Sequence, residues 1–223
     1  MTAAIEYRDV VKRYGDKTVI PGFSLAIEKG EFVTIIGRSG GGKTTLLKMA
    51  NGLVLPDSGD VLVDGRTVAG QDLIELRRNM GYTIQGNVLF PHMTVRENIA
   101  YVPNLLNGAD KKRTMHAVEK WLAMVGLSAD LLERYPDELS GGQQQRVGIA
   151  RSLAASPEIL LMDEPFGSVD EMTRKDLQQE IKRIHAETGI TILFVTHDNA
   201  EAELLGTKIL TIEAGALVSY VDA

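Results

Sequence analysis

The apolar run Phe32-Val33-Thr34-Ile35-Ile36 stops at Gly37-Arg38-Ser39-Gly40-Gly41-Gly42-Lys43-Thr44, and a helical pattern follows. A strand, a glycine loop and a helix in that order restrict the chain to a small group of α/β architectures. The spacing fits G-x-x-x-x-G-K-[ST] at Gly37, Gly42, Lys43 and Thr44. Glycines let successive backbone N–H groups turn inward around phosphate without a Cβ clash. The helix that starts near Lys43 aims its N-terminus at the same anion. Lys43 is placed to reach the β and γ oxygens, and the Thr44 hydroxyl to ligate Mg²⁺. The segment is read as the grip on a nucleoside triphosphate, with Ser39, Gly40, Gly41 and Thr45 as further contacts.

With 223 residues and a 44% apolar share, the chain has the material for one α/β domain with a small lobe. No apolar run approaches a membrane span and no charged-then-apolar leader opens the chain. The cytosol is the expected location, unless a partner holds the chain at a membrane. The formal charge of −6 argues against a nucleic-acid partner, which favours a basic face. The absence of cysteine excludes disulfides, thiolate metal sites and thiol nucleophiles.

Three β segments are expected at 5–10, 18–27 and 31–36, separated by turns at Tyr14-Gly15-Asp16 and Glu28-Lys29-Gly30. A helix is expected over 43–51 and a strand over 60–63, turned by Asp64-Gly65. The stretch 87–139 reads as helical, with Val118, Trp121, Leu122 and Val125 at helical spacing and Gly126 as a stop. Helix and strand then alternate: helices over 142–154 and 171–187, strands over 158–162 and 190–195, and a closing hairpin at 208–212 and 216–219. Such alternation implies a mostly parallel sheet covered by helices.

The run Ile159-Leu160-Leu161-Met162 ends in Asp163-Glu164. Carboxylates at the end of a buried strand stand where open α/β sheets bind ligands. Asp163 is placed to hold Mg²⁺ through water, which leaves Glu164 as general base for the attacking water. Between these motifs lies Leu139-Ser140-Gly141-Gly142-Gln143. A serine hydroxyl and glycine N–H groups at a helix start form a second anion cradle. His92, His116 and His185 lack metal-ligand spacing and read as surface residues.

The order of these strings resembles the ATP-binding cassette (ABC) family over essentially the full chain. The resemblance implies a single domain over 1–223. Its expected fold is α/β: a P-loop NTPase core with a mostly parallel sheet, an N-terminal antiparallel β-subdomain and an inserted α-helical subdomain over about 87–155. It implies ATP and Mg²⁺ as cofactors. Tyr14 matches the aromatic that stacks on adenine, and Gln85 the glutamine that contacts Mg²⁺ and the attacking water. Ser140, Gly141, Gly142 and Gln143 match the signature loop, Asp170 the acidic residue of the loop after Glu164, and His197 the switch histidine at the γ-phosphate. Lys43, Glu164, Gln85 and His197 are thus the expected catalytic group, and Thr44, Gln85 and Asp163 the metal group. The resemblance also implies a head-to-tail dimer in which each signature loop completes the other chain's ATP site.

The string Leu89-Phe90-Pro91-His92-Met93-Thr94-Val95-Arg96-Glu97-Asn98-Ile99 is similar to importer ATPases. Glu75-Leu76-Arg77-Arg78, Val102-Pro103 and Arg134-Tyr135-Pro136 are similar to cassettes that import quaternary amines and osmoprotectants. The expected partners are a second copy, membrane permease subunits and, indirectly, an extracytoplasmic substrate-binding protein, with the chain peripheral on the cytoplasmic face. An exporter cassette, or a cassette acting on nucleic acid or ribosomes, is the alternative. The chain departs from the family at Gly167-Ser168-Val169-Asp170, where Ala-Leu is usual before the aspartate, and at Arg38. Longer osmolyte cassettes carry a C-terminal regulatory extension; the sequence stops at Ala223, so that mode of regulation is not expected of this polypeptide.

Overall fold

The computed structural model describes residues 3–84, 86, 89–108, 110–167 and 169–222. Its elements run β1 (Ile5–Tyr14), β2 (Lys17–Ile27), β3 (Phe32–Ile36), α1 (Lys43–Ala50), β4 (Ser58–Val63), β5 (Arg66–Thr67), α2 (Leu73–Arg78), β6 (Met80–Thr83) and α3 (Val95–Asn107). They continue α4 (Lys111–Met124), α5 (Gly141–Leu153), β7 (Ile159–Asp163), α6 (Glu171–Thr188), β8 (Thr191–Val195), α7 (Asn199–Leu205), β9 (Lys208–Glu213) and β10 (Ala216–Asp222).

Two sheets result. The antiparallel sheet has the order β2-β1-β4-β5. The second has the order β10-β9-β3-β8-β7-β6 and is parallel, except for β10, which turns back antiparallel on β9. Every residue of β7 and β8 is buried, which explains their continuous apolar sequence: both faces of a parallel sheet are covered.

The alternation of side chains along each strand divides the core in two. Phe32, Leu160, Met162, Ile192 and Phe194 point into a layer completed by α3, α4, α5 and α6. Val33, Ile35, Ile159, Leu161, Leu193 and Val195 point the other way, onto α1 and the antiparallel sheet. At about 25 cal/mol per Å² of apolar surface, burying side chains of this size contributes on the order of 2 kcal/mol each.

The fold is the α/β arrangement the sequence implies, with differences in detail. The stretch 87–139 is not one helical run. Thr94 starts α3 with a capping box to Glu97, Asp110 starts α4, and short 3-10 turns lie at Ala129–Leu131 and Pro136–Glu138. No expectation covered α2 or β6. The first is only six residues long, and its one buried side chain is Leu76. The second is four residues with a glycine inside: a Cβ on Gly81 would come 2.5 Å from the Ser152 carbonyl oxygen of α5. Helix and strand touch there through bare backbone, so the sequence carries a glycine where a strand pattern wants a branched residue. The surface reading of His185 is also corrected. The ring is half-buried, packs edge-on against Phe32, and its Nε2 lies 2.9 Å from the Gly30 carbonyl.

Candidate functional site

Four adjacent strands, β3, β8, β7 and β6, end at one edge of the parallel sheet. Ile35 is in register with Val195, and Val195 with Asp163. The glycine loop, the Thr196-His197-Asp198 turn and the Asp163-Glu164 pair therefore leave the sheet at the same level. That edge, past the carboxyl ends of parallel strands, is where such sheets bind ligands. Gln85 follows β6 by two residues and lies outside the described residues, as does Ser168.

The loop after β3 is built to receive an anion. Gly42 is the N-cap of α1 with φ 93°, a conformation that favours glycine, and it caps without a side chain. The first-turn N–H groups of α1 are thereby left as donors. Lys43 is buried, and its ammonium bridges the loop by donating to the carbonyls of Gly37 at 2.7 Å and Arg38 at 3.2 Å. Thr44 Oγ1 donates to Asp163 Oδ1 at 3.0 Å. This pairs two oxygen groups of the kind a hard divalent cation takes. Burial pushes the Asp163 carboxyl above its ordinary value, and the neighbouring Glu164 charge adds to that. The Thr44 hydrogen bond and the charges of Lys48 and Lys43 oppose it.

Glu164 adopts φ 45°, the left-handed region that costs an L-residue about 1–2 kcal/mol. Its N–H donates to the Val195 carbonyl at 2.9 Å, which holds the strained turn against β8. The side chain is mostly buried, and its Oε2 lies 3.3 Å from Nδ1 of the exposed His197. The turn after β7 thus combines a left-handed backbone at Glu164 with a carboxylate that faces an imidazole.

Tyr14, Lys17, Val19, residues 39–45 and Glu164 line a cleft of about 420 Å³. That volume is in the range of small-ligand sites. The Tyr14 ring is 49% exposed on its wall, with the Lys12 ammonium 5.6 Å from the ring centre. An exposed aromatic face beside a phosphate-type loop fits a nucleotide base. Lys17 and Val19 line the cleft with no motif to announce them in the sequence.

Ser140, Gly141, Gly142, Gln143 and Asp170 are absent from this cleft's walls. They gather elsewhere, at the N-terminal ends of α5 and α6. The Ser140 hydroxyl accepts the Gln143 N–H at 3.2 Å, and the Gln143 side chain accepts the Ser140 N–H at 2.9 Å. Gly142 sits so close to α6 that a Cβ there would come 2.6 Å from Thr173 Cγ2. Thr173 in turn donates to Asp170 through its hydroxyl at 2.7 Å and its N–H at 3.0 Å. Tyr14, residues 39–45 and Glu164 thus wall the cleft; Gly37, Asp163 and His197 adjoin it through Lys43, Thr44 and Glu164; Ser140–Gln143 and Asp170 are assembled apart from it.

Residues 20–167 match the sequence profile of the ABC transporter family. The chain is 48% identical over 215 residues to the glycine betaine/carnitine/choline transport ATP-binding protein OpuCA of Bacillus subtilis, an alignment covering 96% of the chain and 56% of that protein. It is 47% identical over 214 residues to the glycine betaine uptake system ATP-binding protein YehX of Escherichia coli, covering 96% of the chain and 69% of that protein. The chain therefore spans little more than half the length of OpuCA. Among solved structures, the dimeric post-hydrolysis state of the ATP-binding cassette MJ0796 bound to ADP and Pi is similar. Its TM-score is 0.87 and its identity 31%, with 98% of each chain covered. From the glycine loop, the carboxylate pair and these likenesses together, the chain belongs to the ABC transporter family.

Proposed function

We propose that two copies of this chain close head to tail on two ATP molecules, and that closure and hydrolysis drive a separate membrane permease importing an osmoprotectant such as a quaternary amine. The observation that carries this reading is the division of the motifs. The cleft holds loop residues 39–45, Tyr14 and Glu164, while Ser140–Gln143 and Asp170 stand off it. Motif residues that stand apart from their own chain's cleft are available to complete the cleft of a second copy, in a two-fold arrangement. The dimeric form of the similar MJ0796 cassette supports this. The names of OpuCA and YehX support the transported class.

In this reading Tyr14 stacks on the base. The loop N–H groups and Lys43 hold the phosphates, and Thr44, Asp163 and Gln85 would hold Mg²⁺. Bound there, Mg²⁺ would supply charge neutralisation to the phosphates. Glu164 takes a proton from the attacking water as its oxygen bonds to the γ-phosphorus and the bond to the β–γ bridging oxygen breaks. His197, beside Glu164, contacts the γ-phosphate and orients that carboxylate. The Ser140 hydroxyl accepts a cap bond, which leaves its own proton to donate to the partner's γ-phosphate. Asp170 lies at the same dimer face.

Among the described residues, no helix is long and apolar enough to cross a membrane. In the proposed reading the chain works at the cytoplasmic face on permease subunits, with an extracytoplasmic binding protein delivering the solute and no nucleic acid involved. The test is reconstitution of the chain with its permease and binding protein in liposomes. ATP hydrolysis stimulated by a quaternary amine, with uptake, is the expected result. Hydrolysis indifferent to the solute and the binding protein overturns the import reading.

A further inference from the structure

The turn that carries His197 is tied to a buried carboxylate that no motif includes. Glu201, in the first turn of α7, is only 6% exposed. Its Oε2 accepts the Thr196 hydroxyl at 2.5 Å, and its Oε1 accepts the Gln178 amide of α6 at 2.9 Å. The Thr196 oxygen also accepts the Asp198 N–H at 3.1 Å. A hydroxyl has one proton, so that proton is committed to Glu201. The Thr196 hydroxyl therefore brackets His197, since it belongs to the residue before the histidine and holds the N–H of the residue after it.

Both ends of the bracket are anchored. The Thr196 N–H donates to the Ile35 carbonyl of β3 at 3.1 Å. The Asp198 side chain caps α7, accepting the N–H groups of Ala200 at 2.9 Å and Glu201 at 3.2 Å. Glu201, Thr196, His197 and Glu164 also border one small cavity of about 50 Å³. A buried carboxylate carries a desolvation cost that an apolar side chain would avoid. Here its two oxygens fix the histidine turn and α6, the helix whose N-cap is Asp170. Charge-assisted hydrogen bonds of this kind are the strong ones.

We propose that Glu201 is a positioning residue for the hydrolytic site: through the Thr196 hydroxyl it holds the His197 turn so that the imidazole meets Glu164 and the γ-phosphate. The inference rests on the role proposed above for His197. Removing the hydroxyl lets the turn relax and lowers the rate of hydrolysis, while the nucleotide grip of the loop after β3 is untouched.

The test is steady-state Mg-ATP hydrolysis by the full chain, with thermal melting to verify folding. Thr196→Val is expected to lower kcat about tenfold or more, the usual scale for a lost hydrogen bond to a charged group, with KM for ATP changed less than about twofold. Thr196→Ser is expected to restore kcat. Glu201→Leu should behave like Thr196→Val, and Glu201→Gln should recover activity. Its amide oxygen still accepts the hydroxyl, and a flipped Gln178 amide accepts its NH₂. In a His197→Ala background, Thr196→Val should have no further effect. An unchanged kcat in Thr196→Val, or an equal loss with and without His197, overturns the link between Glu201 and the histidine. If Thr196→Val fails to fold, Thr196→Ser and Glu201→Gln decide the matter: a tenfold loss in both would overturn it. If His197→Ala alone leaves kcat unchanged, the role of His197 falls and this inference with it.

Discussion

The Thr44 hydroxyl donates to the Asp163 carboxylate at 3.0 Å, a contact between groups 119 residues apart in sequence. It joins the glycine loop after β3 to the end of β7 across the intervening β8. Asp163→Asn keeps the acceptor oxygen and removes the charge. The fold and nucleotide binding should persist, while Mg²⁺-dependent hydrolysis falls by two orders of magnitude or more, on the scale of removing one electrostatic group from a reacting site. Binding of a fluorescent ATP analogue, measured beside Mg²⁺-titrated hydrolysis, separates the two effects.

Glu164→Gln should abolish turnover and retain ATP. Glu164 is the carboxylate that faces His197, and the amide keeps its shape but cannot take a proton. With ATP and Mg²⁺, the variant should elute as a dimer on size exclusion, where the parent chain does so weakly or transiently. A variant that hydrolyses at the parent rate rejects Glu164 as the base.

Gly81→Ala tests the packing that no sequence pattern announced. The added methyl would come 2.5 Å from the Ser152 carbonyl, and neither the strand nor the helix can move without disturbing a buried layer. A loss of about 1–3 kcal/mol is expected from overpacking of this kind. Chemical denaturation should show an earlier midpoint with an unchanged slope.

Tyr7 sets an alkaline limit on the fold. Its hydroxyl donates to the Leu46 carbonyl at 2.9 Å, and complete burial pushes the phenol well above its ordinary value. The folded-state value is the higher one, so this contribution is complete below the unfolded value of about 10 and is lost as pH rises through the folded value. Tyr7→Phe should cost about 1 kcal/mol at neutral pH for the lost hydrogen bond. It should also flatten the decline of stability above pH 10. Denaturation midpoints measured between pH 8 and 11 check both.

The sequence made the chemistry legible where motif and topology coincide. The strand before Gly37 and the apolar run into Asp163 announced both the elements and the ligand edge, because buried parallel strands read as unbroken apolar runs. What stayed hidden depends on contacts between distant segments. The glycine of β6 makes sense only against α5. His185 looked like surface until its ring met Phe32 and Gly30. Glu201 belongs to no motif, and only the turn after β8 and the approach of Gln178 reveal its partners. The separation of Ser140–Gln143 from the cleft is likewise a matter of tertiary placement, which spacing along the chain does not encode.

The central claim is that each ATP site is shared between two copies. Chains carrying Lys43→Ala are mixed with chains carrying Ser140→Arg, each inactive alone, and hydrolysis is measured as the ratio is varied. In a mixed dimer with shared sites, one site collects both lesions and the other is intact. At equal amounts, hydrolysis should then rise to about a quarter of the parent rate, since half the dimers are mixed and each has one working site. A rate that stays at the level of the separate mutants at every ratio would contradict the shared site.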